Sequence, residues 1–384
     1  MRVRRARRRD LDDLVRLERV FPGDRVSRAS FAHFIDAPTA DVWVAVEDDG
    51  GRERVIGDAI VGYRRGFHAA RLYSLVTDPE RRGRGVAGAL LEAAERAAIE
   101  RGVVSMRLEV RVDNEVAIGF YERRGYEVVG RTHDFYEDHS DALRMRKRLR
   151  DDAAHLLHVP YHPQSLEFTC GPACLMMALR ALGHAAPLGQ EQELLLWREA
   201  TTVFMLAGHG GSSAHGLAVA AWRRGFAAEV WVDQAGPPFL DTVRSAVKKQ
   251  VIELAHQGFV QELASYHATV RVGDFGADDV VAHIEAGRVP LVLVSGARLY
   301  AERIPHWVVA TGFDADHLYV HDPHLPDEGD RADGVHQPLR RTDFANVARY
   351  GRARHRAMVV VARRDGDPRR DARAERRPRR PPTA

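Results

Sequence analysis

Leu75-Val76-Thr77-Asp78-Pro79-Glu80-Arg81-Arg82-Gly83-Arg84-Gly85-Val86-Ala87-Gly88-Ala89-Leu90-Leu91 passes from a short apolar segment through a glycine-rich turn into an amphipathic helix. Glycines let a backbone bend closely around an anion, the turn's amides point inward, and the helix N-terminus adds partial positive charge. The stretch reads as a phosphate cradle, although a plain tight connection between strand and helix has the same composition. Around it, strand and helix patterns alternate at the lengths of an α/β unit. Strands are expected at Trp43 to Val46, Val55 to Val61, Leu72 to Val76, Ser105 to Val110 and Tyr126 to Gly130. Helices are expected after Asp10, at Gly85 and at Asn114, with Asp10 as N-cap and Asp13 in an acidic first turn.

Arg82-x-x-Gly85-x-Ala87 followed by Leu90-Leu91 resembles the pyrophosphate loop of the GNAT acetyltransferase superfamily. Leu108-Glu109-Val110-Arg111-Val112-Asp113-Asn114, continuing through Tyr121 to Gly125-Tyr126, resembles the later half of that family, especially its ribosomal-protein N-terminal acetyltransferase branch. The resemblance implies a mixed central sheet with helices, and acetyl-CoA as cofactor. Its pantetheine arm would run beside Leu75 and Val76, and its pyrophosphate would sit on the amides of Arg82, Gly83, Arg84, Gly85, Val86 and Ala87. It also implies that Asn114 holds the cofactor arm, that Glu109 is the general base and that Tyr121 is the general acid. An ammonium must lose a proton before attacking a thioester, and the departing thiolate must gain one. The residues alone leave plainer roles open: Glu109 as the partner of Arg107 or Arg111, and Tyr121 as a core aromatic beside Phe120 and Tyr126.

A second set of elements begins near Val159-Pro160. Gln164-Ser165-Leu166-Glu167-Phe168-Thr169-Cys170-Gly171-Pro172-Ala173-Cys174 sets a cysteine at a helix start, with Pro172 in the first turn and Gly183 as the stop. A thiolate there is stabilised by the helix dipole and free amides, whereas Cys174, one turn further in, is expected to be buried and inert. Far downstream, within Ile304 to Pro323, Trp307 to Ala310 and Leu318 to Val320 read as two strands of a hairpin turning around Asp314. Opposed residues in a hairpin have a constant sum, so His306 and Asp322, each eight positions from Asp314, are expected side by side. Further strands are expected at Leu291 to Val294 and Met358 to Val361, which with the early helices gives an α+β unit.

Cys170-Gly171-Pro172 and His306-Trp307-Val308-Val309 resemble the papain-like cysteine peptidases, and closest the family that removes double-glycine leaders from bacteriocins. The resemblance implies Cys170 as nucleophile, His306 as base, Asp322 as the acid that orients it, and Gln164 with the Cys170 amide as oxyanion donors. Such peptidases usually precede a membrane transporter. This chain instead resembles a recurrent bacterial arrangement, an acetyltransferase fused to a peptidase-like domain. A non-cleaving peptide-binding module and an amide-forming acyl-transfer unit remain as alternatives, because an acyl-thioester can be resolved by an amine as well as by water. Gly208 to Gly216 reads as a glycine turn before a helix. Cys170, Cys174, His209 and His215 match no zinc spacing, so no metal is expected.

Composition suits this division. At 384 residues, 45% apolar and 29% charged, the chain has the length of two globular domains and no run that would span a bilayer. The basic Met1 to Arg7 leads into charged residues and not into the apolar core of a secretory signal, and there are two cysteines; a cytoplasmic, thiol-reduced protein is expected. From Arg363 onward nine arginines face four acids, so the net charge of +3 becomes −2 without that tail. With almost no apolar residues the tail is expected to be disordered; no nucleic-acid motif accompanies it, and nucleic acid is not an expected partner. The resulting organisation is an acetyltransferase domain at 1–150, a short linker around Arg148 to Ala154, a papain-like cysteine peptidase domain at 155–363 and an Arg-rich tail at 364–384. The expected partner is a peptide, a protein N-terminus or a small amine.

Overall fold

The computed structural model describes residues 1–19, 25–63, 69–149, 154–201, 210–238, 240, 243, 245–299, 304–325, 331–351 and 354–364. The chain divides into two compact units, Met1–Asp152 and Ala153–Ala384, each with its own core.

The first unit runs β1 (Arg2–Arg5), α1 (Leu11–Glu18), α2 (Arg28–Asp36), β2 (Ala40–Asp49), β3 (Arg52–Tyr63), β4 (Ala69–Thr77), α3 (Val86–Glu100), β5 (Ser105–Arg111), α4 (Glu115–Glu122), β6 (Glu127–Thr132) and β7 (Ala142–Arg148). Its sheet has the order β1-β2-β3-β4-β5-β7-β6. Neighbouring strands are antiparallel except β4 and β5, which are parallel and connected through α3. Leu11, Leu14 and Leu17 recur at helical spacing and pack α1 with Phe31 against Val44, Ile60 and Val76 on one face. Leu90, Leu91, Ala94 and Ala98 carry α3 onto the other face, against Ala59, Val61 and Leu72. Every strand and helix expected in this unit is present, and most are longer than their apolar centres. β1, α2 and β7 were not anticipated. β7 alternates Leu143 and Met145 with arginine and lysine, and its last residue, Arg148, pairs with Ser105. The connection between the units therefore starts later than the expected Arg148; residues 150–153 lie outside the described residues.

The second unit contains β8 (His155–Leu156), α5 (Cys170–Ala181), α6 (Gln190–Ala200), α7 (Ala214–Arg223), β9 (Phe226–Val232), α8 (Ala246–Ser265), β10 (Val270–Val272), α9 (Ala277–Glu285), β11 (Val289–Ser295), β12 (Pro305–Phe313), β13 (His317–His321), β14 (Gln337–Arg340) and β15 (Ala357–Arg363). The sheet order is β10-β9-β15-β11-β12-β13-β14, with β8 added beside β12. β9 and β10 are parallel and the other neighbours antiparallel. α5 is buried from Cys170 through Leu179, as expected of a helix apolar all round, and it packs on β12 and β11. Each of its buried Leu and Met side chains contributes roughly 1.5–3 kcal/mol relative to exposure. Gly183, at φ +100°, ends the helix in the left-handed conformation that glycine adopts without strain. Arg364, expected to open a disordered tail, lies over the Trp222 ring at 5.2 Å. The rest of that tail, from residue 365, lies outside the described residues.

Candidate active sites

In the first unit the ladder between β4 and β5 stops at Leu72–Leu108, although β4 continues to Thr77 and β5 to Arg111. Beyond Leu72 the β5-facing edge of β4, which includes Leu75 and Val76, is open, while its other edge pairs with Ala59 and Asp58 of β3. A turn follows in which Asp78 Oδ1 accepts from the Glu80 amide (3.1 Å). Gly83 and Gly85 then take φ values of +76° and +79°, and a Cβ at either would meet nothing within 4 Å. Gly85 is the N-cap of α3 and has no side-chain cap, so no side chain of the cap takes the first amides of the helix. Arg82 and Arg84 are exposed, whereas Arg81 is held by Glu47 (2.6 Å) and Val86 is buried in the core. An open strand edge, an uncapped helix start and two exposed guanidiniums fit a ligand that carries a pyrophosphate and an extended amide-bearing arm, as acetyl-CoA does.

Asn114 caps α4, its Oδ1 accepting from the Ala117 amide at 3.1 Å. Tyr121 is buried in the core, edge-on to Phe120 and Tyr126 at 5.2 and 5.5 Å; burial, and then the charge of Tyr136, push its phenol up. Glu109 bonds Arg71 across the sheet at 2.9 Å, and Arg107 stands 3.9 Å away. Of the two ion-pair partners expected, Arg107 is near, but Arg111 instead holds Asp113 and Asp138. The parallel pairing, which sets Arg71 opposite Arg107, brings in a partner 38 positions distant that local spacing could not suggest.

In the second unit, α5 packs on β12 so that the Cys174 thiol donates to the Trp307 carbonyl (3.3 Å) and Cys170 lies beside the start of that strand. His306 hydrogen-bonds both neighbours of interest: its Nε2 meets Asp322 Oδ1 at 2.8 Å, and it bonds the Cys170 side chain. With Nε2 on Asp322, Nδ1 is the ring nitrogen left for the sulfur. Burial lowers the His306 pKa, but the Asp322 charge and hydrogen bond, with Cys170, outweigh it and raise it to about 10. Burial pushes the Cys174 thiol well up, as suits an inert core cysteine. The expected hairpin register needs correction. Val309 faces His321, two positions beyond the partner that a turn centred on Asp314 would give. Asp314 opens the turn, its Oδ1 accepting from the amides of Asp316 and His317 at 2.9 and 2.7 Å.

Three bonds tie the segment before Cys170 to the end of β13. His321 Nε2 donates to Val159 O (2.8 Å), Tyr161 OH to Asp322 O (2.9 Å), and the Gln164 amide to Pro323 O (2.9 Å). The Gln164 side-chain amide donates to Leu166 O (2.9 Å), which leaves its second N–H for another acceptor. Glu193 on α6, which nothing in Gln190-Glu191-Gln192-Glu193 distinguishes, is fully buried beneath this segment. It accepts from His162 Nε2 (3.0 Å), the Ser165 amide and hydroxyl (2.7 and 2.9 Å) and the Thr169 hydroxyl. Burial raises its pKa, but these donors together lower it below the ordinary value. Thr169 thus serves Glu193, and no side chain caps α5. Gly171 allows close packing, since a Cβ there would lie 3.1–3.3 Å from Ser212, Trp307 and Leu217. Of the glycine turn before α7, residues 210–216 are described; Ser213 caps the helix, and the Ser212 carbonyl accepts from Trp307 Nε1 at 3.2 Å. His215 is buried with its ring 4.5 Å from that of His256, and His209 lies outside the described residues.

Residues 11–126 match the Acetyltransferase (GNAT) family and residues 159–362 the Peptidase_C39 like family. Fold and sequence together define an acetyltransferase unit followed by a peptidase-like unit. The second match spans more than half of the chain, which belongs to the Peptidase_C39 like family. Among solved structures, the chain is similar to ribosomal-protein-S18-alanine N-acetyltransferase from Escherichia coli, with 23% identity over 40% of this chain and 96% of that one (TM-score 0.35). It is similar to ribosomal-protein-alanine N-acetyltransferase from Brucella melitensis, with 22% identity over 38% and 99% (TM-score 0.34). It is also similar to Naa20 from Chaetomium thermophilum, solved with a bisubstrate analogue, with 26% identity over 38% and 86% (TM-score 0.35). Among the described residues, no helix is long and apolar enough to cross a membrane.

Proposed function

We propose that the first unit transfers an acetyl group to the amine of a peptide, a protein N-terminus or a small molecule, and that the second is a cysteine peptidase. Acetyl-CoA supplies the activated acetyl thioester. Leu75 and Val76 would hold its arm along the open edge of β4, Arg82 to Ala87 its pyrophosphate, and Asn114, through the amide nitrogen left by its cap, the arm as well. The acceptor ammonium gives up a proton, which Glu109 would have to receive while paired with Arg71 and Arg107. Its nitrogen then forms the C–N bond as the C–S bond breaks, and Tyr121 protonates the departing sulfur.

In the second unit, the Cys170 thiolate attacks the peptide carbonyl, while the Cys170 amide and the free N–H of Gln164 stabilise the oxyanion. His306 protonates the departing amine as the C–N bond breaks, then takes a proton from the water that cleaves the thioester; Asp322 keeps the ring oriented and charged. The observation that carries this reading is a buried imidazole shared between Cys170 and Asp322. A thiol-reactive peptidyl probe should label the wild type and spare Cys170→Ala; equal labelling of both, or of neither, sinks the hydrolase reading. Hydrolysis of a peptide bond exposes an α-amine, the group an N-acetyltransferase consumes, which gives the fusion a chemical rationale. Incubating peptides with and without acetyl-CoA and weighing the products tests the coupling, and products that never gain an acetyl group dismiss it.

A further inference from the structure

The first unit buries two carboxylates that the chemistry above leaves unused. Asp58 stands in the middle of β3, fully buried, and neither carboxyl oxygen has a hydrogen-bond partner among the described residues. Strand alternation sends Gly57 toward α3, where a Cβ would lie 2.9 Å from Val86, and Asp58 to the opposite face, with Ile60 against α1. Glu18, the last residue of α1 and 2% exposed, brings its carboxylate to the same region. The Val26 amide donates to its Oε2 at 3.1 Å and the Ser74 hydroxyl to its Oε1 at 3.4 Å. Its charge acts on Asp58, whose carboxyl burial and this repulsion hold well above the usual range; Arg25 is the cation that acts on Glu18. Ser74 belongs to β4, and the β4 residue opposite Asp58 is Val76, in the stretch whose other edge is open.

A buried carboxylate without a donor is unfavourable unless something brings it a proton or a positive charge. Here two share one region, and among the described residues an amide and a hydroxyl donate to Glu18 while no donor reaches Asp58. We propose that Glu18 and Asp58, with the Ser74 hydroxyl, form the subsite for the positively charged head of the acetyl acceptor, an inference that rests on the acetyltransferase reading. An ammonium offers three donors and a charge, matching two bare carboxyl oxygens and the partly satisfied Glu18. A neutral hydroxyl group brings no charge to Glu18, so the subsite selects by charge.

The test uses the full chain, thiol release from acetyl-CoA, and three probes: an alanine tetrapeptide amide with a free N-terminus, spermidine, and the tetrapeptide with a hydroxyl in place of its α-amine. Asp58→Asn should raise KM for the two amines by roughly tenfold to a hundredfold, leave the Kd for acetyl-CoA unchanged, and not lower Tm. Glu18→Gln, which keeps the side-chain shape, should do the same and serves if Asp58→Asn fails to fold. The hydroxyl probe should be inert with all forms. An unchanged amine KM in either folded variant overturns the inference and leaves the acetyltransferase reading standing. Acetyl-CoA binding without transfer to either amine overturns it as well. A wild type that binds no acetyl-CoA overturns the reading beneath it.

Discussion

Asp322→Asn removes a charge from His306 while conserving shape. Burial drives a lone imidazole toward its neutral form, yet Asp322 and Cys170 carry His306 from 6.5 up to about 10. At pH 7 that gap favours the imidazolium by about a thousand to one. The interval is worth about 5 kcal/mol, and with the carboxylate gone the largest influence left is burial, so the ring becomes neutral at pH 7 and the positive charge beside Cys170 is lost. Alkylation of Cys170 by iodoacetamide across pH reads this directly, with Cys174, buried and bonded to Trp307, as the unreactive internal control. The wild type should hold its rate through neutral pH to a limb near 10, and the variant should be slower at pH 7 by about two orders of magnitude or more. Superimposable profiles from two folded proteins would refute the reasoning. Linkage gives the sign for stability: the folded pKa is raised, so this stabilisation is complete below about 6.5 and is lost as pH rises through about 10.

His321 behaves oppositely. Its Nε2 donates to Val159 O while its Nδ1 accepts from the His336 amide at 3.0 Å, an arrangement open only to the neutral ring, and burial lowers its pKa to about 4. Its contribution is complete above 6.5 and fades as pH falls toward 4, so Tm followed by circular dichroism should decline across that window, and a flat profile counts against it. Glu193→Gln, which disturbs the donors from His162, Ser165 and Thr169, should lower the unfolding free energy by about 2 kcal/mol and slow alkylation of Cys170; an unchanged urea midpoint would contradict this. Gly171→Ala adds a methyl group against Ser212, Trp307 and Leu217, with an expected destabilisation of about 1–3 kcal/mol read in the same titration.

Legibility in the sequence followed the range of the interactions. Features set by neighbours along the chain were readable: the turn at Gly83 and Gly85, the cysteine at the start of α5, and the stop at Gly183, all fixed by backbone geometry within a few residues. Partners set by packing were not. Arg71 reaches Glu109 because β4 and β5 are parallel, and Glu193 gains its role because α6 lies under the loop before Cys170. Asp58 did leave a mark, a lone acid in the apolar run Val55 to Val61, and a buried carboxyl group at a strand centre is a functional signal that the strand pattern absorbed unnoticed.

The hairpin that joins His306 to Asp322 shows why an error of register left the pairing intact. Opposed residues of an antiparallel ladder share a face, and alternation makes a shift of two positions harmless to the face while a shift of one inverts it. Next to the turn, Phe313 faces Leu318; continued without interruption, that register would put His306 opposite residue 325 and Asp322 on the other side of the sheet. The bulge between Ala310 and Gly312 absorbs one residue, after which Val309 faces His321 and His306 falls opposite His324, whose ring centroid is 6.1 Å away. Asp322, two residues before His324, thereby shares the face of His306 and meets it. The inserted residue is Thr311, fully buried, its hydroxyl 3.1 Å from Tyr319 O and its carbonyl accepting from the Leu157 amide at 2.7 Å. Deleting Thr311 removes the extra residue together with the bulge, so Gly312–Tyr319 and Ala310–Val320 become consecutive pairs and His306 stays opposite His324. The variant should keep the wild-type alkylation profile of Cys170 while losing the stability that the buried Thr311 hydrogen bonds contribute. A deletion variant with native circular dichroism that loses the neutral-pH alkylation of Cys170 would refute this account of the register.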